Sequence, residues 1–223
     1  MRLVLVRHGE SVGNFENRLQ GQTDYDLTPR GQQQAKLTGI RLREIGVTAV
    51  YTSPLLRASA TARMIAATLA CNTIDLPAVR EYDFGELAGA TYAELRQRFA
   101  ASPIGPDGRP AERVYPGEEG REHFLERVTA AMWQVVEAHP DETVAVVSHG
   151  GPIALLCQHV MGLPYKRPMP FAIDNCSLST IQVRDGAEDQ LARPRAMLTG
   201  LNDRCHLRPL DEAARAGATP AAR

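Results

Sequence analysis

Neither sign of charge dominates this chain. Its 25 Lys and Arg residues face 26 Asp and Glu, for a formal net charge of −1, which gives no electrostatic reason to expect nucleic acid or an anionic membrane as a partner. Long apolar runs are missing as well. None approaches the roughly 20 residues a membrane helix needs, and only Leu3 to Val6 precede the charged Arg7, which is not the pattern of a signal peptide. Cysteines are few and far apart: Cys71, Cys157, Cys176 and Cys205 form no CxxC pair. That excludes a disulfide framework and gives no zinc signature, so the expectation is reduced thiols in a cytoplasmic protein. Six histidines and no cluster of carboxylates call for neither a metal nor another cofactor. No internal repeat is present.

What is there is a core. Apolar residues make up 43% of 223, enough for one domain, expected over residues 1–210, with an Ala-, Arg- and Gly-rich stretch from 211 to 223 expected as a solvated tail. Leu3 to Val6 is a buried strand. Thr28 then Pro29 is a helix start, running to about Glu44 and stopping at Gly46. Val47 to Tyr51 is a strand, and Ser53-Pro54 opens a second helix, to about Leu69. Thr91-x-x-Glu94 is a capping box for a third. A loop rich in Pro and Gly spans 101 to 120, the kind of segment that forms lids and binding loops. A helix from about Gly120 to Ala138 precedes the most apolar strand, Thr143 to Val147. Pro152 opens another helix, to about Met161, and Ser177 to Val183 and Arg195 to Leu198 read as later strands. Alternating strands and helices imply an α/β sandwich with a mostly parallel sheet.

Two strands end alike. Arg7-His8-Gly9-Glu10 follows Leu3 to Val6, and Ser148-His149-Gly150-Gly151 follows Thr143 to Val147. Parallel strands place their C-terminal ends on one side of a sheet, where open α/β folds keep their chemistry. Either histidine alone could merely cap its strand; the matched contexts favour a pair that meets. Arg57, one turn beyond Ser53-Pro54, can swing back to a third strand end, or be an ordinary solvated arginine. Glu81 on position alone reads as a surface carboxylate.

Taken together these segments resemble the histidine phosphatase superfamily, which includes the phosphoglycerate mutases. Arg7-His8-Gly9-Glu10 is similar to its RHGE signature. Asn14 and Gln20-Gly21 follow at the family's spacing, as do Leu27-Thr28-x-x-Gly31, Thr52-Ser53-Pro54-Leu55-x-Arg57-Ala58, Glu81-x-x-Phe84-Gly85-x-x-x-Gly89, Ser148-His149-Gly150-Gly151 and Leu201-Asn202-Asp203-x-x-His206-Leu207. The resemblance implies a three-layer α/β/α sandwich of the phosphoglycerate mutase type. It implies that His8 is a nucleophile forming a phosphohistidine, a role suited to a neutral imidazole. Arg7, Arg57 and His149 would surround the transferring oxygens, the kind of cationic clamp that phosphoryl transfer rewards. Asn14 and the Gly150 N–H would donate to the same oxygens, and Gln20, Gly21 and Tyr82 would complete the substrate site.

Glu81 would protonate the leaving alkoxide and then deprotonate water. A carboxyl group beside a bound phosphate anion favours its protonated form, which suits an acid. The implied partner is a small phosphorylated metabolite, and a homodimer is left open. Glu81-Tyr82-Asp83-Phe84-Gly85 resembles the phosphatase branch more than the mutases' E-R-H-Y-G, so a phosphatase acting on sugar phosphates or related metabolites is expected. A mutase, or a non-catalytic phosphate-binding module, is the alternative. Phe15 and Tyr82 read either as apolar pocket walls or as core. Arg109 and Arg113 read either as recognition of a carboxylate or second phosphate, or as solvated loop charges. Pro116-Gly117-Glu118-Glu119-Gly120 is similar to the family's P-G-G-E-S without its serine. His123, His139, His159 and His206 read as structural or surface residues.

Overall fold

The computed structural model describes residues 1–99, 116–164, 171–184 and 195–217. One sheet holds β1 (Arg2–Arg7), β2 (Ala49–Thr52), β3 (Thr73–Asp75), β4 (Thr143–Ser148), β5 (Leu178–Val183) and β6 (Ala196–Asp203), in the order β3-β2-β4-β1-β5-β6. The pairs β2–β3, β2–β4 and β1–β4 are parallel. Only β5 runs the other way, antiparallel to both its neighbours.

The two central strands dictate the layers. Side chains alternate across a strand, so Leu3 and Leu5 face one side and Val4 and Val6 the other, and all four are buried. Val144 and Val146, and Ala145 and Val147, divide in the same way. A strand apolar on both faces needs cover on both. On one side α2 (Pro29–Glu44) and α3 (Leu56–Leu69) supply Leu42, Ala58, Ala62 and Ile65. On the other, α5 (Arg121–Ala138) and α6 (Gly150–Val160) supply Phe124, Val128, Met132, Ile153 and Leu156. This is the expected three-layer α/β/α sandwich.

Several local signals act as anticipated. Thr28 accepts from the Gly31 N–H and Pro29 occupies the first turn of α2. Thr91 and Glu94 form a reciprocal capping box at α4 (Tyr92–Arg98). Others differ. The second helix starts at Leu56, after the N-cap Leu55, which has no polar side chain to cap with; Ser53 lies two residues earlier and accepts the Leu55 N–H instead. The four-residue α1 (Val12–Phe15) and the three-residue β3 are too short to show a period in sequence. β6 extends to Asp203 rather than Leu198.

The stretch read as a tail begins within a helix. Residues 208–217 form α7 (Arg208–Gly217), and Asp211 on it accepts from Arg30 Nη2 at 2.7 Å and from Arg204 Nη2 at 3.0 Å. Two arginines from separate parts of the fold give this polar stretch the partners that composition alone could not reveal. Residues 218–223 lie outside the described ones, as do Arg109, Arg113 and most of the 101–120 loop. The four cysteines are unpaired, and no described helix is long and apolar enough to cross a membrane.

The exit from β1 is a tight crossing. Thr28 donates its backbone N–H to the Glu10 carbonyl at 2.9 Å and its hydroxyl to Glu10 Oε1 at 2.7 Å. A side chain on Gly31 would be driven into the Glu10 carbonyl, and one on Gly9 into the Gly31 carbonyl. The first turn of α2 therefore lies directly against the turn that carries His8. Gly31→Ala is expected to destabilise the protein by about 1–3 kcal/mol, as overpacking of a rigid contact does. A urea unfolding midpoint equal to that of the unsubstituted protein would contradict this packing.

Candidate active site

In-register pairing of Arg7 with Ser148 across β1 and β4 brings the two matched strand ends side by side. The His8 N–H donates to the Ser148 carbonyl at 2.9 Å. The rings of His8 and His149 stand 5.2 Å apart, tilted at 57°, and both are buried.

His8 Nδ1 lies 2.7 Å from the Gly9 carbonyl. A carbonyl only accepts, so the proton is assigned to Nδ1 and the lone pair to Nε2. Arg57 Nε, 3.2 Å from Nε2, donates to that lone pair. Thr61 holds the turn from α3: its hydroxyl oxygen accepts the Gly9 N–H at 3.0 Å and donates to the Arg57 carbonyl at 2.7 Å. Burial, then the cations Arg57 and Arg7, push the His8 imidazole well below its ordinary range against the pull of the Gly9 carbonyl. The ring is therefore neutral and nucleophilic at neutral pH.

Two arginines flank it. Arg57 is fully buried and donates to the Gly21 and Thr23 carbonyls at 2.7 and 2.9 Å; burial lowers its guanidinium to about 10. Arg7 donates Nη1 to the Ile173 carbonyl. Its Nε is buried with no hydrogen-bond partner among the described residues. Burial lowers Arg7 too, while Glu81 raises it. Asn14 presents Oδ1 to the Ser11 N–H at 3.2 Å and to Asn175 Nδ2 at 3.1 Å. Its amide NH2 is thereby left to donate. Gln20 is buried, with Oε1 2.7 Å from the Ser11 hydroxyl.

Glu81 is held at both oxygens. Oε1 accepts the Tyr82 N–H at 2.8 Å, and Oε2 accepts the Gly151 N–H at 3.1 Å, at the N-terminus of α6. A side chain on Gly151 would strike Glu81 Oε1. The Glu81 backbone is fixed separately. Its carbonyl accepts from Arg127 Nη2 at 3.1 Å and Gln22 Nε2 at 3.2 Å. Arg127 also bonds the Ala78 and Arg80 carbonyls and pairs with both oxygens of Glu119. Glu119 Oε1 in turn accepts the Asp83 N–H at 2.8 Å.

These groups meet in a cavity of about 460 Å³ lined by Arg7, His8, Asn14, Gln20, Gly21, Arg57, Glu81, Gly150 and Gly151, with Arg18, Leu19, Phe84, Tyr92 and Ile173. His149 is not part of this lining; it is fully buried behind it, against the His8 ring. Two sequence expectations are corrected. Tyr82 is not part of the lining: it is a core residue, its ring 5.0 Å from Phe84 and 5.2 Å from Phe124, its hydroxyl donating to Glu118. Phe15 is exposed on α1 and does not line the cavity either. Leu19, Phe84, Tyr92 and Ile173 are the apolar walls instead.

Two further polar residues stand beside the histidines: Ser53, whose hydroxyl lies 2.8 Å from His149 Nε2, and Asn175, which donates to the His8 carbonyl at 3.0 Å; Ser53 has a motif to mark it in sequence and Asn175 has none. Thr61 and Arg127 carried a weak signal: one stands four residues beyond Arg57 on the same helix, the other is a lone cation between Leu125 and Val128. Among the four remaining histidines, His139 bonds Tyr51 and Glu142, and His206 bonds Thr38, away from the cavity.

Residues 3–193 match the model of the histidine phosphatase superfamily (branch 1). A probable phosphoglycerate mutase GpmB from Cronobacter sakazakii is 33% identical over 184 residues, 81% of this chain and 84% of that protein. Among solved structures, Bacillus stearothermophilus YhfR superposes with a TM-score of 0.78 at 28% identity, covering 92% of this chain and 98% of that one. A mycobacterial glucosyl-3-phosphoglycerate phosphatase in complex with VO3 superposes with a TM-score of 0.75 at 26% identity, over 90% and 98% of the two chains.

Neutral buried histidines link the site to stability. In the unfolded chain His8 and His149 bind a proton as pH falls through 6.5, whereas in the folded protein both resist it. The unfolded state then binds more protons, so stability is intact above pH 6.5 and declines below it, by at most about 1.4 kcal/mol per pH unit for each ring. The loss between pH 7 and pH 5, measured by urea unfolding, is expected to be smaller in His149→Asn than in the unsubstituted protein. Equal losses would mean that His149 is not buried neutral.

Proposed function

The chain belongs to the histidine phosphatase superfamily, branch 1, and from that premise we propose that it is a metal-independent phosphatase that hydrolyses small phosphomonoesters through a phosphohistidine on His8. The observation that carries the reading is the fixed tautomer: the Gly9 carbonyl holds the Nδ1 proton, and Nε2 presents its lone pair in a cavity that also holds Glu81. In the first step Nε2 forms a bond to phosphorus as the ester P–O bond breaks. The Glu81 carboxyl group gives its proton to the leaving alkoxide. In the second, a water oxygen attacks phosphorus, the N–P bond breaks, and the water proton goes to the Glu81 carboxylate.

Arg57 changes partner during the first step. Its Nε–H, spent on the resting lone pair, is released to a phosphoryl oxygen once that pair is in the N–P bond. Arg7 Nε and the Asn14 amide are further donors without a protein acceptor among the described residues. Charge on the transferring group is met by guanidinium and amide donors already in place, the preorganisation that phosphoryl transfer rewards. No step calls for a metal.

Hydrolysis is favoured over isomerisation by the Glu81-Tyr82-Asp83-Phe84-Gly85 segment, which resembles the phosphatase branch, and by the likeness to a glucosyl-3-phosphoglycerate phosphatase. The second reading, phosphoglycerate mutase, rests on the name of the 33% identical relative. Phosphate release from a panel of sugar phosphates and phosphoglycerates supports the phosphatase; interconversion of 3- and 2-phosphoglycerate without release supports the mutase.

The protein is expected to hydrolyse p-nitrophenyl phosphate in the presence of EDTA and to be inhibited by vanadate, which imitates the five-coordinate transition state. His8→Ala is expected to reduce turnover to background; retained activity removes the nucleophile. Glu81→Gln and Gly151→Ala are expected to lower kcat by about 100-fold or more while vanadate still binds, one by removing the proton and the other by displacing the carboxylate. Unchanged kcat in either variant would take Glu81 out of the acid role.

A further inference from the structure

His149 is buried with one nitrogen satisfied and one not. Nε2 lies 2.8 Å from the Ser53 hydroxyl, itself fully buried. Nδ1 has no hydrogen-bond partner among the described residues. The hydroxyl has one proton to give. Its oxygen already accepts the Leu55 N–H at 3.3 Å. If Ser53 donates to Nε2, both groups are used and only the Nδ1 proton is left over. If Nε2 carries the proton instead, the hydroxyl proton and the Nδ1 lone pair are both stranded in the interior. Each stranded buried group costs about 1–3 kcal/mol, so the first arrangement wins.

We propose that Ser53 is a positioning residue that fixes His149 in the Nδ1–H tautomer, so that His149 serves the phosphoryl group as a hydrogen-bond donor. The two imidazoles then carry their protons on the same ring atom with opposite effect. On His8 the Gly9 carbonyl accepts from Nδ1–H and leaves Nε2 a nucleophile; on His149 the serine hydroxyl donates to Nε2 and leaves Nδ1–H a donor. Burial and the neighbouring Arg57 keep the His149 ring neutral, so the choice of tautomer, not of charge, decides what it offers. The donor role rests on the phosphoryl-transfer reading above; the tautomer does not.

The test is a long-range proton–nitrogen NMR correlation of the imidazoles in the full-length, nitrogen-15-labelled protein, with the His149 signals assigned by their loss in His149→Asn. His149 is expected as Nδ1–H with Nε2 unprotonated, and vanadate is expected to shift the Nδ1 proton. In Ser53→Ala the Nε2–H form is expected to appear, with kcat for p-nitrophenyl phosphate reduced about tenfold, KM changing little and the urea midpoint lowered by the loss of the buried hydroxyl. Ser53→Thr, which keeps the hydroxyl, is expected to restore both tautomer and kcat, and it decides the matter if the alanine variant does not fold.

An Nε2–H tautomer in the unsubstituted protein, or a tautomer unchanged in Ser53→Ala, overturns the role of Ser53. A Nδ1 proton that ignores bound vanadate overturns the donor role. Failure of the phosphatase reading looks different: the tautomer answers to Ser53 and vanadate binds, but no ester is turned over.

Discussion

Parallel pairing of β1 with β4, in register from Arg2 opposite Thr143 to Arg7 opposite Ser148, sets everything that follows. Because side chains alternate along a strand, a slip of one residue would exchange the faces of Leu3, Val4, Leu5 and Val6. It would also carry His8 away from His149. The register that fills the core is thus the register that assembles the site. The same pairing puts the N-terminus of α6 beside the end of β1, and that is where Gly151 meets Glu81. Apolar packing locates the chemistry before any polar group takes part.

Around that point the site is made of cations and neutral rings. Burying Arg7 and Arg57 without an opposite charge would be costly. The structure meets most of the cost with backbone carbonyls, from Gly21, Thr23 and Ile173. Carbonyls satisfy a guanidinium without neutralising it, so its charge stays available to an anion. The imidazoles respond by staying unprotonated. A dianion entering the cavity therefore finds two guanidinium groups that form no ion pair among the described residues, with Glu81 held by two backbone N–H groups.

The parts of this arrangement that announce themselves in sequence are those with a period or a turn chemistry. The apolar runs that end at Arg7 and Ser148, the Thr28-Pro29 start and the Thr91/Glu94 box each state a local preference that the fold keeps. The glycine at 31 is legible as part of a motif, although its reason, the Glu10 carbonyl, is not. Tyr82 was ambiguous because residues 76–89 form neither a long helix nor a strand, and an irregular segment gives no rule for which aromatic turns inward. Tyr82 went to the core and Phe84 to the wall. Acceptors such as the Ile173 and Gly21 carbonyls are beyond any reading of side chains, because every residue has one. Asp211 looked like part of a tail because its partners, Arg30 and Arg204, are brought to it only by the tertiary structure.

Arg127 draws together the Ala78, Arg80 and Glu81 carbonyls and the Glu119 carboxylate from a single position on α5. The acid is thereby braced from within the helical layer. In engineering terms Arg127 is a keystone: an irregular stretch with no ladder of its own borrows its rigidity from a helix, and one side chain carries the load that a strand's hydrogen bonds carry elsewhere.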